Sequence, residues 1–188
     1  MKKFAIAISS IIATLFVFMF VGCNVKEPRV WISQDNPNVM ICDSFVPKPN
    51  TITVYNNGKS ETIEPSTDAF EKFWSAVNNL LNGNVKLEYL DGFLSSDSVS
   101  DTKSTAKCFE FMYDGIYQVE NGGNTFNGMF FWFGEYNLSF GYYTVNENGE
   151  YNVDIIDGQE IRFYSATSGV SISKYRSKIN KVSNLINL

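Results

Sequence analysis

The sequence predicts an α+β fold, in which an antiparallel meander sheet of about six to eight strands carries one amphipathic helix packed on it and a C-terminal helix. Three observations favour this class. Short stretches with alternating apolar residues recur along the chain and are separated by Asn-Gly and Gly-Gly turn signals. Residues 70–81 have a strong helical period. Residues 171–188 repeat an apolar side chain every three or four positions.

The clearest hairpin signal lies early in the chain. Asn57 and Gly58 separate two short stretches that favour strands, and this dipeptide suits a two-residue turn with positive φ at both positions. Such a turn places Ile52 opposite Ile63 and Thr53 opposite Thr62, which keeps one face apolar near the open end. We therefore expect this register.

The next segment predicts a helix with a single apolar face. Asp68 can act as its N-cap with Glu71 as the reciprocal partner, and Gly83 can supply the left-handed residue after the last turn. The apolar stripe consists of Phe70, Phe73, Trp74, Val77, Leu80 and Leu81. A further strand is expected at residues 85–90, and a polar loop at residues 95–104.

A second hairpin is predicted on either side of Gly122 and Gly123. A two-residue turn there pairs Tyr113 with Trp132 and Val119 with Phe126. In this register the opposite face is half apolar, and the amphipathic helix is expected to cover it. That face carries Cys108, Glu110, Met112, Asp114, Ile116, Met129, Phe131 and Phe133. Alternation resumes at residues 138–142 and 151–155, which continues the meander.

The C-terminal segment is basic. Its apolar seam consists of Ile172, Tyr175, Ile179, Val182 and Ile186, and its cationic side chains are Lys174, Arg176, Lys178 and Lys181. One interpretation packs the seam back on the sheet of the same chain. The other leaves the helix free to dock a partner or to rest on a lipid surface.

The N-terminus has the pattern of an export signal. Lys2 and Lys3 precede an apolar stretch at residues 4–21, and Gly22 stands before Cys23. Residues 20–23, Phe-Val-Gly-Cys, resemble the lipobox of bacterial lipoproteins, with Phe where that family usually has Leu. The resemblance implies cleavage before Cys23 and attachment of acyl chains such as palmitate to this cysteine. An uncleaved membrane-spanning anchor is the alternative, and it gives the same topology.

This resemblance to Gram-positive surface lipoproteins divides the chain into three parts. Residues 1–22 are the signal peptide, residues 23–37 the lipid anchor and tether, and residues 38–188 a single domain. The protein is then expected at the cell membrane, lipid-anchored and exposed on its extracytoplasmic face. High Asn, Ile, Phe and Tyr content, with Lys favoured over Arg, is typical of an AT-rich genome, which agrees with a Gram-positive source.

Composition limits the chemistry that the chain can perform. The net charge of −5 argues against nucleic acid as a partner. The chain has no His and no closely spaced Cys pair, so it lacks the ligand pattern of a zinc site. We therefore expect no metal and no cofactor. Cys42 and Cys108 could form a disulfide outside the cytoplasm or remain two buried thiols.

Two aromatic side chains are the candidate binding surface. Tyr136 falls in a predicted turn and Tyr143 on the outward face of its strand, so both are expected to be exposed. The sequence therefore favours a binding or accessory module for an envelope protein or wall glycan, with no catalytic residues. The alternative is an enzyme acting on cell-envelope polymers. Its candidate carboxylate pairs are Glu110 with Asp114 and Glu135 with Asp157. A structural or assembly role is a third hypothesis.

Overall fold

The computed structural model describes residues 27–44, 46–81, 86–90, 95–120, 125–134, 137–145, 151–152, 163–167 and 172–186. Within these ranges the chain is a mixed α/β protein with a mostly antiparallel open sheet and three helices. The strands are β1 (Val30–Ile32), β2 (Val39–Cys42), β3 (Thr51–Asn56), β4 (Lys59–Ile63), β5 (Lys86–Leu90), β6 (Lys107–Val119), β7 (Thr125–Phe133), β8 (Leu138–Val145), β9 (Tyr151–Asn152) and β10 (Phe163–Thr167). The helices are α1 (Asp68–Leu81), α2 (Ser96–Thr105) and α3 (Ile172–Ser183).

The sheet has the strand order β1-β2-β6-β7-β8-β10-β5. Strands β6, β7 and β8 follow one another as an antiparallel meander, as predicted. β2, however, pairs with β6 in parallel, so the sheet is mixed. The 13-residue length of β6 allows two strands to share one edge, because β3 pairs with residues 107–112 and β2 with residues 116–119.

The first strand among the described residues lies inside the range that was predicted to be a tether. Val30, Trp31 and Ile32 form β1 and pair antiparallel with β2. Arg29 strengthens this start, since its Nε donates to Asp43 Oδ2 at 2.7 Å. The prediction of a tether as far as Pro37 is therefore wrong for these strand residues.

The first hairpin has the predicted register. Ile52 pairs with Ile63 and Thr53 with Thr62. Asn57 has φ of 50° and Gly58 φ of 81°, as a two-residue turn that follows the twist of its strands requires.

The predicted register of the second hairpin is wrong. Trp132 pairs with Cys108 instead of Tyr113, and Phe126 pairs with Tyr117 instead of Val119. The ladder shifts between residues 112 and 117, where β6 contains more residues than the facing stretch of β7. The pair of Phe126 with Tyr117 lies on the turn side of this shift and already differs from the predicted pair by two residues, so the prediction fails at the turn itself. Beyond the bulge, the pairing changes again and the face changes with it.

The shifted register changes which face of the sheet α1 covers. Its apolar stripe is buried as predicted, and it packs on the face that carries Phe109, Phe111 and Phe131. The rings of Phe73 and Phe109 meet edge to face with centroids 4.9 Å apart, and Phe109 stacks on Phe131 at 4.4 Å. The expectation that α1 covers the face of Cys108 and Glu110 is wrong.

The N-cap of α1 is Thr67 and not Asp68. The Phe70 backbone N–H donates to Thr67 Oγ1 at 3.2 Å, which satisfies one of the unpaired amides of the first turn. Glu71 instead forms an ion pair with Lys48 at 2.8 Å. Gly83, the predicted C-terminal residue, lies outside the described residues.

Helix α2 occupies the segment that was predicted to be a polar loop. Ser95 caps it by accepting from the Ser98 N–H at 3.1 Å, and Thr102 Oγ1 donates to the Ser98 carbonyl at 2.7 Å. Its hydroxyls thus bond to the helix backbone, and Val99 is its buried apolar contact with the sheet. The apolar period of the sequence could not predict this helix, because a single buried apolar residue does not form an apolar stripe.

Helix α3 packs on the body of the protein. Ile179, Val182 and Ile186 join the same core cluster as α1 and the sheet. Lys107 Nζ donates to the carbonyls of Ser183 at 3.5 Å and Ile186 at 3.2 Å, which places a cation at the C-terminal end of the helix. None of the helices in the described part of the chain is long and apolar enough to cross a membrane.

Candidate functional site

Of the site residues selected from the sequence, the structure describes Tyr143, Cys42 and Cys108. Cys23 and Tyr136 lie outside the described residues. Tyr143 is 7% exposed, and its hydroxyl donates to Glu110 Oε1 at 3.0 Å. The expectation that Tyr143 is exposed is wrong, because it belongs to a second apolar cluster between the sheet and Val99 of α2.

Tyr143 is part of a buried polar cluster around Glu110. Lys103 Nζ of α2 forms an ion pair with Glu110 Oε1 at 2.8 Å, and the Tyr55 hydroxyl donates to Oε2 at 2.7 Å. The Lys103 ammonium also lies 4.7 Å from the centroid of the Tyr55 ring, a cation–π distance. The cluster therefore connects α2 with three strands of the sheet.

This geometry separates Glu110 from Asp114, its candidate catalytic partner. Asp114 is exposed, and its backbone N–H donates to Asn50 Oδ1 at 3.1 Å. Glu110 is buried, and both of its oxygens accept from the cluster described above. A carboxylate satisfied in this way connects structural elements, as buried ion pairs commonly do. Glu135 and Asp157 lie outside the described residues.

Cys42 and Cys108 are free, buried thiols. Cys42 faces Val119 at one end of β6, whereas Cys108 lies at the other end, so their Cα atoms are far beyond the roughly 7 Å that a disulfide spans. The disulfide hypothesis is therefore wrong, and the alternative of two buried thiols describes the structure. Burial raises the pKa of Cys42 to about 11 and that of Cys108 to about 12. Such thiols are protonated and unreactive at neutral pH.

One exposed surface follows α3. Ile179, Val182 and Ile186 of its apolar seam are buried, whereas Arg176, Lys178 and Lys181 are exposed. The helix contains no acidic residue. A shallow depression of about 760 Å³ runs along this basic face. A second groove of about 490 Å³ lies between α1 and α3. The groove is lined by Glu71, Lys72, Ser75, Ala76, Asn79, Lys181 and Leu185.

A second exposed surface is strand β1. Val30 is 43%, Trp31 39% and Ile32 64% exposed, and they are the large apolar side chains most open to solvent in the described ranges. They were predicted to belong to a tether, because Pro28, Pro37 and the polar residues between them are typical of a linker. The Val-Trp-Ile run itself was the available signal, since such residues favour strands.

In the ranges that the structure describes, no group of three or more Cys, Asp or Glu side chains is arranged to hold a metal ion. Comparison with known proteins gives no match to a family model, to a curated protein or to a solved structure.

Proposed function

We propose that this protein is a lipid-anchored binding or accessory module on the extracytoplasmic face of the cell membrane. The lipobox-like residues 20–23, preceded by a basic start and an apolar stretch, support the anchor at Cys23. The partner is an envelope protein or, second, a wall glycan. The alternative is an enzyme acting on cell-envelope polymers. Both oxygens of Glu110 accept hydrogen bonds in the buried cluster while Asp114 is exposed, which gives this alternative no support among the described residues.

The basic face of α3 is the observation that carries the binding function. The chain has a net charge of −5, yet α3 presents Arg176, Lys178 and Lys181 to solvent without an acidic residue. A local patch of opposite sign orients the encounter with a complementary surface and favours one partner over others. The patch therefore favours an acidic partner that approaches α3 and the α1–α3 groove.

Site-specific photo-crosslinking tests this proposal in the native envelope. The full chain would carry a photo-crosslinking residue in place of Lys178, with a matched exposed position, Glu61 on β4, as control. We expect a discrete protein adduct from position 178 and not from position 61. Adducts with wall polymer alone would favour the glycan, and equal labelling at both positions would contradict a binding role for α3.

A charge reversal gives a second, independent test. With the photo-crosslinking residue placed at the neighbouring exposed Ser177 instead, Lys178→Glu combined with Lys181→Glu should reduce the yield of the adduct about tenfold or more, because like charges then face each other. Lys59→Glu on β4 changes a comparable exposed lysine and should leave the yield unchanged. Metabolic labelling with palmitate, compared between the natural chain and Cys23→Ala, tests the anchor separately.

A further inference from the structure

Strand β1 leaves an apolar surface uncovered at an edge of the sheet. In the described residues it pairs with β2 alone. Alternate side chains of a strand point to opposite faces, so Val30 and Ile32 occupy one face and Trp31 the other. All three are exposed, and therefore neither face is fully covered in the part of the chain that the structure describes. Exposed apolar edges of this kind promote association unless something covers them.

The chain length between β1 and the proposed anchor restricts what can cover it. Cys23 precedes Val30 by about seven residues, which span at most roughly 25 Å when fully extended. The polar layer of a bilayer is itself about 5–7 Å thick on each side. If Cys23 carries acyl chains, β1 must therefore remain close to the headgroups of the same membrane.

The side chains of β1 suit an interface between lipid and water. Trp is enriched at the headgroup level, where an apolar ring with one N–H donor is favourable. Arg29, directly before the strand, has a side chain that is 71% exposed while its Nε donates to Asp43. A guanidinium placed there can face lipid phosphate. By contrast, a three-residue edge offers few main-chain hydrogen bonds to an added strand, which is what recognition by strand addition needs.

We propose that β1 inserts Val30, Trp31 and Ile32 into the interfacial layer of the membrane that holds Cys23, so that the body is held at two points, an acyl anchor and an apolar strand. This inference rests on the proposed lipid anchor. It assigns the membrane contact to a surface distinct from the basic face of α3, which remains available to a partner.

Fluorescence quenching by lipid tests the inference with the full chain. The protein, purified from membranes, is reconstituted into vesicles of phosphatidylglycerol and phosphatidylcholine whose acyl chains carry bromine, which quenches nearby Trp. The chain has three Trp residues, of which Trp74 is buried in the core. We expect quenching that is lost in Trp31→Phe and retained in Trp132→Phe.

A polar variant checks that the apolar strand causes this contact. Val30→Ser combined with Ile32→Ser should reduce the quenching of Trp31. Because both side chains are exposed, the denaturation midpoint should stay close to that of the natural protein. Unchanged quenching in this variant would overturn the inference.

Acylation is measured in the same preparation from the mass of the N-terminal peptide. If the chain is acylated but Trp31 is not quenched, the proposed anchor stands and the membrane contact of β1 is overturned. Crosslinking of β1 to a second copy or to another protein would also overturn the membrane contact. A chain without acylation that leaves the membrane overturns the proposed anchor, and the inference with it.

Discussion

The side chain of Glu110 shows how a buried charge is stabilised by hydrogen-bond donors and an ion pair. Moving a carboxylate away from water is costly, and the cost is offset only when its oxygens have donors. Lys103, Tyr55 and Tyr143 provide them at 2.8, 2.7 and 3.0 Å. Since Lys103 belongs to α2 and the tyrosines to the sheet, the same bonds fix the position of a helix that has little apolar surface of its own.

We therefore expect Glu110→Gln to lower the free energy of unfolding by about 2–4 kcal/mol, because it leaves the Lys103 ammonium largely buried without its counter-charge. Urea denaturation followed by Trp fluorescence measures the change. Asp114→Asn, on the same strand but exposed, is the matched control and should shift stability little. Equal effects of the two variants would show that the cluster is not what holds α2.

Two buried thiols and one buried tyrosine hydroxyl determine how the stability of the protein changes at alkaline pH. Burial raises the pKa of Cys42 to about 11 and of Cys108 to about 12, from an ordinary value of 9.0, and it raises the pKa of Tyr113 well above 10.0. The folded state therefore retains protons that the unfolded state releases. Their stabilising contribution is complete below about pH 9 and declines as the pH rises toward 12.

Denaturation midpoints at about pH 8 and about pH 10.5 check this expectation, and the midpoint should fall at the higher value. Tyr113→Phe removes one of the titrating groups and should reduce the fall. The variant also loses the hydrogen bond from the Tyr113 hydroxyl to the Pro47 carbonyl, so it should be less stable at both pH values. A midpoint that does not change with pH would contradict the assigned pKa directions.

At the scale of the element, helix α1 distinguishes two candidate caps. Thr67 Oγ1 accepts from the Phe70 N–H, whereas Asp68 is the first helical residue. Thr67→Ala should cost about 1 kcal/mol of stability, and Asp68→Ala less than that, since only its charge near the helix N-terminus is lost. Thermal denaturation of both variants measures the difference. The reverse order would restore Asp68 as the cap.

The two hairpins explain how much of the sheet could be predicted from sequence. The β3–β4 register followed from Asn57 and Gly58, because the ladder beyond that turn is uninterrupted. The β6–β7 register did not follow from its turn, because the pairs next to the turn already differ from those of a two-residue turn and the ladder shifts again between residues 112 and 117. The parallel pairing of β2 with β6 was equally inaccessible, since the contact is non-local and no turn signals it.

The candidate site was harder to predict for a related reason. Tyr143 was assigned to an outward face, which was correct relative to Phe140, but α2 covers that face. The helix was missed because its Ser and Thr hydroxyls bond to its own backbone instead of forming a stripe. The face of β8 that carries Tyr143 is thus buried by a helix whose apolar contact with the sheet is Val99.

Across the whole molecule, the two exposed surfaces are well separated. The bonds from Lys107 place the end of α3 beside the start of β6, whereas β2, and β1 beyond it, pair with the end of β6. The twelve residue steps from Lys107 to Val119, the two ends of β6, correspond to on the order of 35–40 Å. A membrane contact at β1 and a partner at α3 would therefore not compete for space.

Energy transfer to a dye in the bilayer tests this arrangement. The buried thiols of Cys42 and Cys108 should resist labelling, so a cysteine placed by Gln34→Cys or Asn184→Cys, both exposed positions, can be labelled selectively. We expect stronger transfer from position 34, just after β1, than from position 184, just after α3. Equal transfer would mean that β1 is not the surface nearer to the membrane.

The pairing of β1 also determines how the body would withstand a pull on the proposed anchor. Any tension from the N-terminal side reaches the described contacts first at Arg29, which bonds to Asp43, and then at β1, which is held by three antiparallel residue pairs with β2. Tension along the strands loads those pairs in shear, so their bonds must break together. Tension across the sheet peels them apart one after another. The attachment is therefore mechanically anisotropic, firm against drag along the strand direction and weak against force that lifts the edge.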